Sequence, residues 1–393
     1  MHTYPVDSGT RLTPMNAMSD QVKRQRMKMK EILLFFSLVG LSTMLEAQDL
    51  KDPRLEVVAS FGKSQPIGVS VSSKNRVFVS FPRREPYVFG LTEISEGQRV
   101  AYPSADWNAK NGDPDNHFIN VQDIYVDSKD QLWVLDSKPG SGNSVFGKAA
   151  GDAKEGQFKL VQIDLASNHV VRQYHFEDLD KTKSGLNDVR IDHDKGLAYL
   201  SDPGQAGIVI LDLSSGKTRL VLSGATATKA KPDIVLAYEG RAMRDKDGNP
   251  FRSNVNGIAL TKDNRYFYFK PINDIHLYRI ETRYLADTSL SAGELETKVE
   301  DMGTTSITHG LLADESGNIY LTSSLDYSIK RWSPDGKIET IVQDSRLIWP
   351  DSLGIGSDGY LYFSCAQVNR LPQWNGGEDK TSFPYEVYRV KIK

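Results

Sequence analysis

From Gln48 onward, apolar residues recur at alternate positions in short runs, and clusters of Gly, Asn, Asp and Ser separate the runs. No window sustains a 3.6-residue apolar period over four turns, so the pattern predicts short strands and turns. One phrase accounts for most of it: an inner-strand segment, a polar turn and a second, aromatic-rich strand. It occurs six times, as GVSVSSKNRVFVS from Gly68, DIYVDSKDQLWVLD from Asp123, DVRIDHDKGLAYLSD from Asp188, GIALTKDNRYFYF from Gly257, GLLADESGNIYLTS from Gly310 and SLGIGSDGYLYFS from Ser352. The copies start 42 to 69 residues apart, as expected of blades of about 40 residues or more that carry loop insertions. Third strands follow in several copies, among them KLVQIDL at Lys159–Leu165, GIVILDL at Gly207–Leu213, IHLYRI at Ile275–Ile280 and SIKRWSP at Ser328–Pro334. The prediction is an all-β fold, a six-bladed β-propeller over residues 48–393.

An open ring would leave two exposed sheet edges, which invite pairing with other chains. The segment LEVVASF at Leu55–Phe61 precedes the first phrase and YEVYRVKI at Tyr385–Ile392 follows the sixth. These two are expected to pair as neighbouring strands of one blade and close the ring.

Composition narrows the function classes. Lys and Arg total 48 against 51 Asp and Glu, a net charge of -3, which supplies no field for nucleic acid or acidic lipid. Cys365 is the single cysteine, which excludes an intrachain disulfide and a cysteine-based zinc cluster. Its apolar setting, LYFSCA, predicts a buried and inert thiol. Ahead of the fold, residues 1–47 form an extension in which KRQRMKMK at Lys23–Lys30 is basic, Ile32–Leu41 is mostly apolar, and Leu45-Glu46-Ala47 fits a cleavage site. That layout, within residues 27–47, is expected of a signal peptide on a secreted or periplasmic protein. The apolar run is far shorter than the roughly 20 residues of a stable membrane span.

Five segments, VQDIYVDSKDQLWVLDS at Val121–Ser137, KLVQIDLASNHVVRQYHF at Lys159–Phe176, AYLSDPGQAGIVILDL at Ala198–Leu213, NGIALTKDNRYFYFKP at Asn256–Pro271 and IWPDSLGIGSDGYLYF at Ile348–Phe363, resemble the major royal jelly protein and yellow family. The resemblance implies an extracellular six-bladed propeller, with members that bind small molecules such as amines or are linked to pigment chemistry. The chain departs from animal members in lacking disulfide cysteines and in its shorter blade loops, consistent with a bacterial-type member. A more distant resemblance, to the gluconolactonase and regucalcin propellers, rests on Asn256-Gly257 and Pro350-Asp351-Ser352. Here too there is a departure: SQPIG at Ser64–Gly68 holds no acid where that family places a metal-binding Glu.

Aligning the six phrases exposes the residue before each inner strand: Ile67, Gln122, Asn187, Asn256, His309 and Asp351. Inner strands line the central channel, so these residues ring its mouth, and five of the six are polar where blade packing would call for apolar side chains. The loops after the second strands, starting at Asp136, Asp202, Lys270, Ser323 and Ser364, return to the same face. Three readings of the ring follow. Asn187, Asn256 and Asp351 offer oxygens to a divalent cation, calcium foremost, with Asp351 or Asp123 as base in a metal-dependent lactone hydrolysis. Alternatively, a small molecule is bound without turnover: Asp351, Asp123 and Asp188 pair with an amine, and Gln122, Asn187, His309, Asp136 and Asp202 line its site. Its ring would then stack on Trp107, Phe118, Tyr327 or Trp349. In the third reading the Asn and Asp side chains only cap backbone groups at the turns. Walker, HExxH and strand-borne GxSxG motifs are absent from the sequence, and DKDGNP at Asp245–Pro250 is expected to be a surface turn.

Overall fold

Each phrase forms the first two strands of a four-stranded antiparallel meander in the computed structural model, which describes residues 50–137 and 158–392. The six inner strands are Val69–Val71, Val121–Val126, Val189–Asp192, Val255–Leu260, Leu311–Ala313 and Pro350–Ile355. The expected third strands are present as Lys159–Asp164, Gly207–Asp212, His276–Glu281 and Ser328–Trp332. The signal-peptide segment at residues 27–47 lies outside the described residues.

Alternation within each strand sends apolar side chains to both faces of a blade, and every blade is therefore covered on two sides. Six apolar clusters result, one at each junction between neighbouring blades. Phe78, Ile124 and Val134 join blades 1 and 2, and Trp133, Leu160 and Val189 join blades 2 and 3. Tyr199 and Phe267 join blades 3 and 4, Leu277 and Leu321 blades 4 and 5, Tyr320 and Leu361 blades 5 and 6, and Val79 and Tyr362 blades 6 and 1. Cys365 is buried in blade 6, and burial pushes its thiol up, as an inert cysteine requires.

The ring closes as expected. Blade 6 has the order Glu56–Ser60, Glu386–Lys391, Tyr360–Cys365, Pro350–Ile355, so the strand near the N-terminus forms its outer edge. Glu56 faces Arg389 across that pair, and the guanidinium Nε donates to Glu56 Oε2 at 2.8 Å. Two one-turn helices interrupt the all-β pattern in blade 4: α1 (Thr282–Ala286) and α2 (Ala292–Glu296), the second started by a reciprocal Ser291–Glu294 cap. Among the described residues no helix is long and apolar enough to cross a membrane.

Close approach of the inner strands explains the residue that follows each mouth position. In blades 4 and 5 it is Gly257 and Gly310: a Cβ at Gly257 would lie 2.5 Å from the His309 carbonyl oxygen, and one at Gly310 would collide with that of Asp351. In blades 2, 3 and 6 a polar side chain takes the same place and bridges to the next blade. Asp123 Oδ2 accepts the Val189 N–H at 3.0 Å, the Asp188 carboxyl accepts the Ile258 N–H, and Ser352 Oγ donates to the Val69 carbonyl at 3.4 Å.

Candidate functional site: the mouth of the channel

The floor of the mouth is a buried ion pair. Arg190, three residues or about 10 Å into the channel from Asn187, donates through Nη1 to Asp123 Oδ2 at 3.2 Å and to its neighbour Val189 O at 2.6 Å. Its Nη2 donates to Leu311 O at 3.1 Å. The guanidinium thus reaches from blade 3 to the inner strand of blade 5 and lies across the channel. Asp123 and Arg190 are both buried.

Above this floor stand the walls. Gln122 Nε2 donates to Asn187 Oδ1 at 3.2 Å, and Asn187 Nδ2 donates to Asp188 Oδ1 at 2.7 Å. Asp351 Oδ2 accepts the indole N–H of Trp349 at 3.2 Å. Asn187, Asp188, Asn256 and Asp351 are each half-buried, and burial is the largest influence on both carboxyls. Burial raises Asp351 to about 7; the Trp349 N–H opposes the rise and the charge of Asp123 adds to it. Asp188 is held well above the carboxylate range by burial, then by Asp123 and Asp351 against the pull of Arg190, and Asp123 is raised by burial against Arg190. The three carboxyls therefore feel one another.

A roof covers the mouth over blades 4, 5, 6 and 1. Ile67, Ile272, Ile307 and Trp349, one from each of these blades, pack with Leu236, Met243 and Phe251 from the segment between blades 3 and 4, and with Ala366 and Val368 from blade 6. This is a seventh apolar cluster beyond the six at the blade junctions. His309 lies beneath it with its ring stacked on Trp349, centroids 3.8 Å apart and planes 19° apart. His309 Nε2 pairs with Ser324 Oγ at 2.8 Å, and Ser324 Oγ with the Tyr238 hydroxyl of the roof at 2.8 Å. Burial, with Lys270 adding to it, pushes His309 down to about 3, so the imidazole is neutral at physiological pH. Lys270 Nζ, itself lowered to about 7 by burial, donates to Thr305 Oγ1 at 3.1 Å and to Ser306 O.

The structure brings Gln122, Asp123, Asn187, Asp188, His309, Trp349 and Asp351 together through these contacts, with half-buried Asn256 at the same level of blade 4. It sets Asp136 and Asp202 apart as brackets for the loops that lead into the inner strands. Asp136 is fully buried and accepts from Ile119 N, Asn120 N and Lys159 Nζ, the last at 2.7 Å. Asp202 accepts from Gly185 N at 2.8 Å and from both nitrogens of Gln205. Among the aromatics, Trp349 gives one face to His309 and packs against Phe251 and Tyr238. Trp107 packs on fully buried Phe118 in the blade 1–2 core, and Tyr327 on the blade 5–6 core. Asp245 accepts from Asp247 N and Asn249 N, so DKDGNP is a self-contained turn. Among the described residues no three of His, Cys, Asp and Glu form a metal-ligating group.

Sequence reasoning missed Arg190 and the roof. An arginine inside the otherwise apolar strand VRI was the available signal for the first, and apolar residues scattered through the strand-poor segment 222–254 for the second.

Comparison with known proteins places this geometry. A search of curated proteins found no match. Among solved structures, a gluconolactonase from Xanthomonas campestris shares 11% identity over 88% of this chain and 92% of its own, with a TM-score of 0.52. A Bacteroides thetaiotaomicron protein of unknown function matches at 10% identity over 86% and 76%, TM-score 0.52. A putative gluconolactonase matches at 14% over 89% and 96%, TM-score 0.50. Likeness at these identities shows the propeller fold. The sequence model of the Major royal jelly protein family matches residues 119–390, from the loop before the second inner strand to the closing strand, and the chain belongs to that family.

Proposed function

We propose that this protein is a secreted propeller that binds a small organic cation, an amine with an apolar or aromatic body, at the mouth of its channel. One observation carries the reading: Asp188 and Asp351 are both held above the carboxylate range by burial, the charge of Asp351 raises Asp188 further, and Arg190 is already paired with Asp123. An ammonium placed there gains two carboxylate partners and relieves their mutual repulsion. The apolar roof offers a dry surface to the rest of the ligand. A divalent cation is the other occupant these groups invite. Asn187, Asn256 and Asp351 supply one carboxylate and two amides, and Asn187 Oδ1 already accepts from Gln122. Such a donor set fits an ammonium better than a calcium cage, which takes six to eight oxygens. Export is supported by the basic and apolar segments ahead of Gln48.

A second reading, lactone hydrolysis, is favoured by the rise of Asp351 to about 7, which suits a general base at neutral pH. Calorimetric titration at pH 8 separates the readings. Aromatic amines are expected to bind one per chain with chelator present, and Asp351→Asn or Asp188→Asn to weaken them at least about tenfold, the loss of one charge-assisted pair. Binding that disappears with chelator points to the metal. Release of acid from a lactone, lost in Asp351→Asn, points to the enzyme, and silence in every arm refutes all three.

A further inference from the structure

The roof also has an outer side. Between the hairpin Ala237–Tyr238/Arg241–Ala242 and the 3-10 turns Val368–Arg370 and Pro372–Trp374 lies a cleft of about 420 Å³, within the size range of small-molecule sites. Tyr238, Met243 and Trp374, which pack into the roof from within, also line this cleft. Arg241, Arg370 and Lys380 line it as well, with Glu239 the one acid among the lining residues.

The ion pairs these cations make are long. Arg370 Nη2 lies 3.4 Å from Glu239 Oε1 while its Nη1 donates to Ser382 Oγ at 2.5 Å, and Lys380 Nζ lies 3.6 Å from Glu378 Oε2. These carboxylates are 54% and 71% exposed, and long ion pairs at such exposure are worth little. Arg241 Nη2 donates to the neutral amide oxygen of Asn375 at 3.2 Å. A ligand carboxylate that accepts two N–H bonds from a guanidinium replaces such contacts at a gain.

We propose that this cleft is a second binding site, for a small aromatic carboxylate. The carboxylate pairs with Arg241 and Arg370, and the ring lies against Trp374. Its charge preference is opposite to that of the channel mouth, and it stands whether or not the mouth binds an amine.

Calorimetric titration of the whole protein with 4-hydroxybenzoate tests it, with benzoate, benzylamine and inorganic phosphate as comparisons. One 4-hydroxybenzoate per chain is expected, benzoate with similar affinity, and no binding of benzylamine at this site. Arg370→Gln is expected to weaken the complex at least about tenfold, and Asp351→Asn to leave it unchanged. Glu239→Gln removes the competing carboxylate and is expected to tighten it about threefold, a gain that misfolding cannot produce. The proposal is overturned if 4-hydroxybenzoate is silent, if phosphate binds as tightly as the aromatic acid, or if Arg370→Gln and Glu239→Gln both leave the affinity unchanged.

Discussion

Asp351 shows how one residue ties stability to binding. Its carboxyl ionises near 7 in the folded chain and near 4 when unfolded, so between those values the folded state holds the extra proton. Stability attributable to this group therefore falls as pH rises from 4 to 7 and is level above. The full shift corresponds to about 4 kcal/mol; the half-buried setting discounts it to about 1–2 kcal/mol. Asp351→Asn is accordingly expected to be more stable than the parent by about that amount at pH 8 and equal to it at pH 4, as urea denaturation at the two values will show. Cation binding has the opposite sign. It needs the carboxylate, so amine affinity should climb by up to about tenfold per pH unit below 7 and lose that slope in Asp351→Asn.

At the scale of elements, the inner strands are set by how near one blade comes to the next. Gly310 has no room for a side chain beside the Asp351 carbonyl, whereas Gly293, exposed in α2, faces open space. Gly310→Ala should therefore cost about 3 kcal/mol through forced separation of blades 5 and 6, and Gly293→Ala should be neutral or stabilise by up to about 1 kcal/mol. Comparable denaturation midpoints for the two variants would contradict this account. The same local logic explains what could be read in advance. Strand periodicity and turn residues recur in every phrase, so the blades, their third strands and the polar ring at Gln122, Asn187, Asn256, His309 and Asp351 are visible along the chain. The roof is not, because its hairpin has two residues per strand, too short for any period, and Leu236, Met243 and Phe251 become a cluster only over the completed ring. Nor is the role of Arg190 visible, since Leu311 lies 121 residues away. Asp136 and Asp202 have the same residue type as Asp188, and only their partners show that they serve loops.

Across the whole molecule, six apolar junctions share the load, and the ring holds because blade 6 is assembled from both ends of the fold. Removing residues 383–393 deletes the strand between Glu56–Ser60 and Tyr360–Cys365, which leaves Glu56–Ser60 without a partner and Tyr360–Cys365 paired on one side only. The truncated chain is expected to lose its cooperative thermal transition, and a sharp transition near the parent's midpoint would refute closure by this strand.

The pairing that completes blade 6 has a mechanical side as well. Its two strands are antiparallel, with Glu56 opposite Arg389 and Ser60 opposite Glu386, so the chain enters one strand and leaves the other at the same end. Heat or denaturant must break the pairing together with everything packed on it. A pull applied to the two ends loads its hydrogen bonds one after another, as a zipper is loaded. The contact that closes the ring is therefore where a modest tug would open it first.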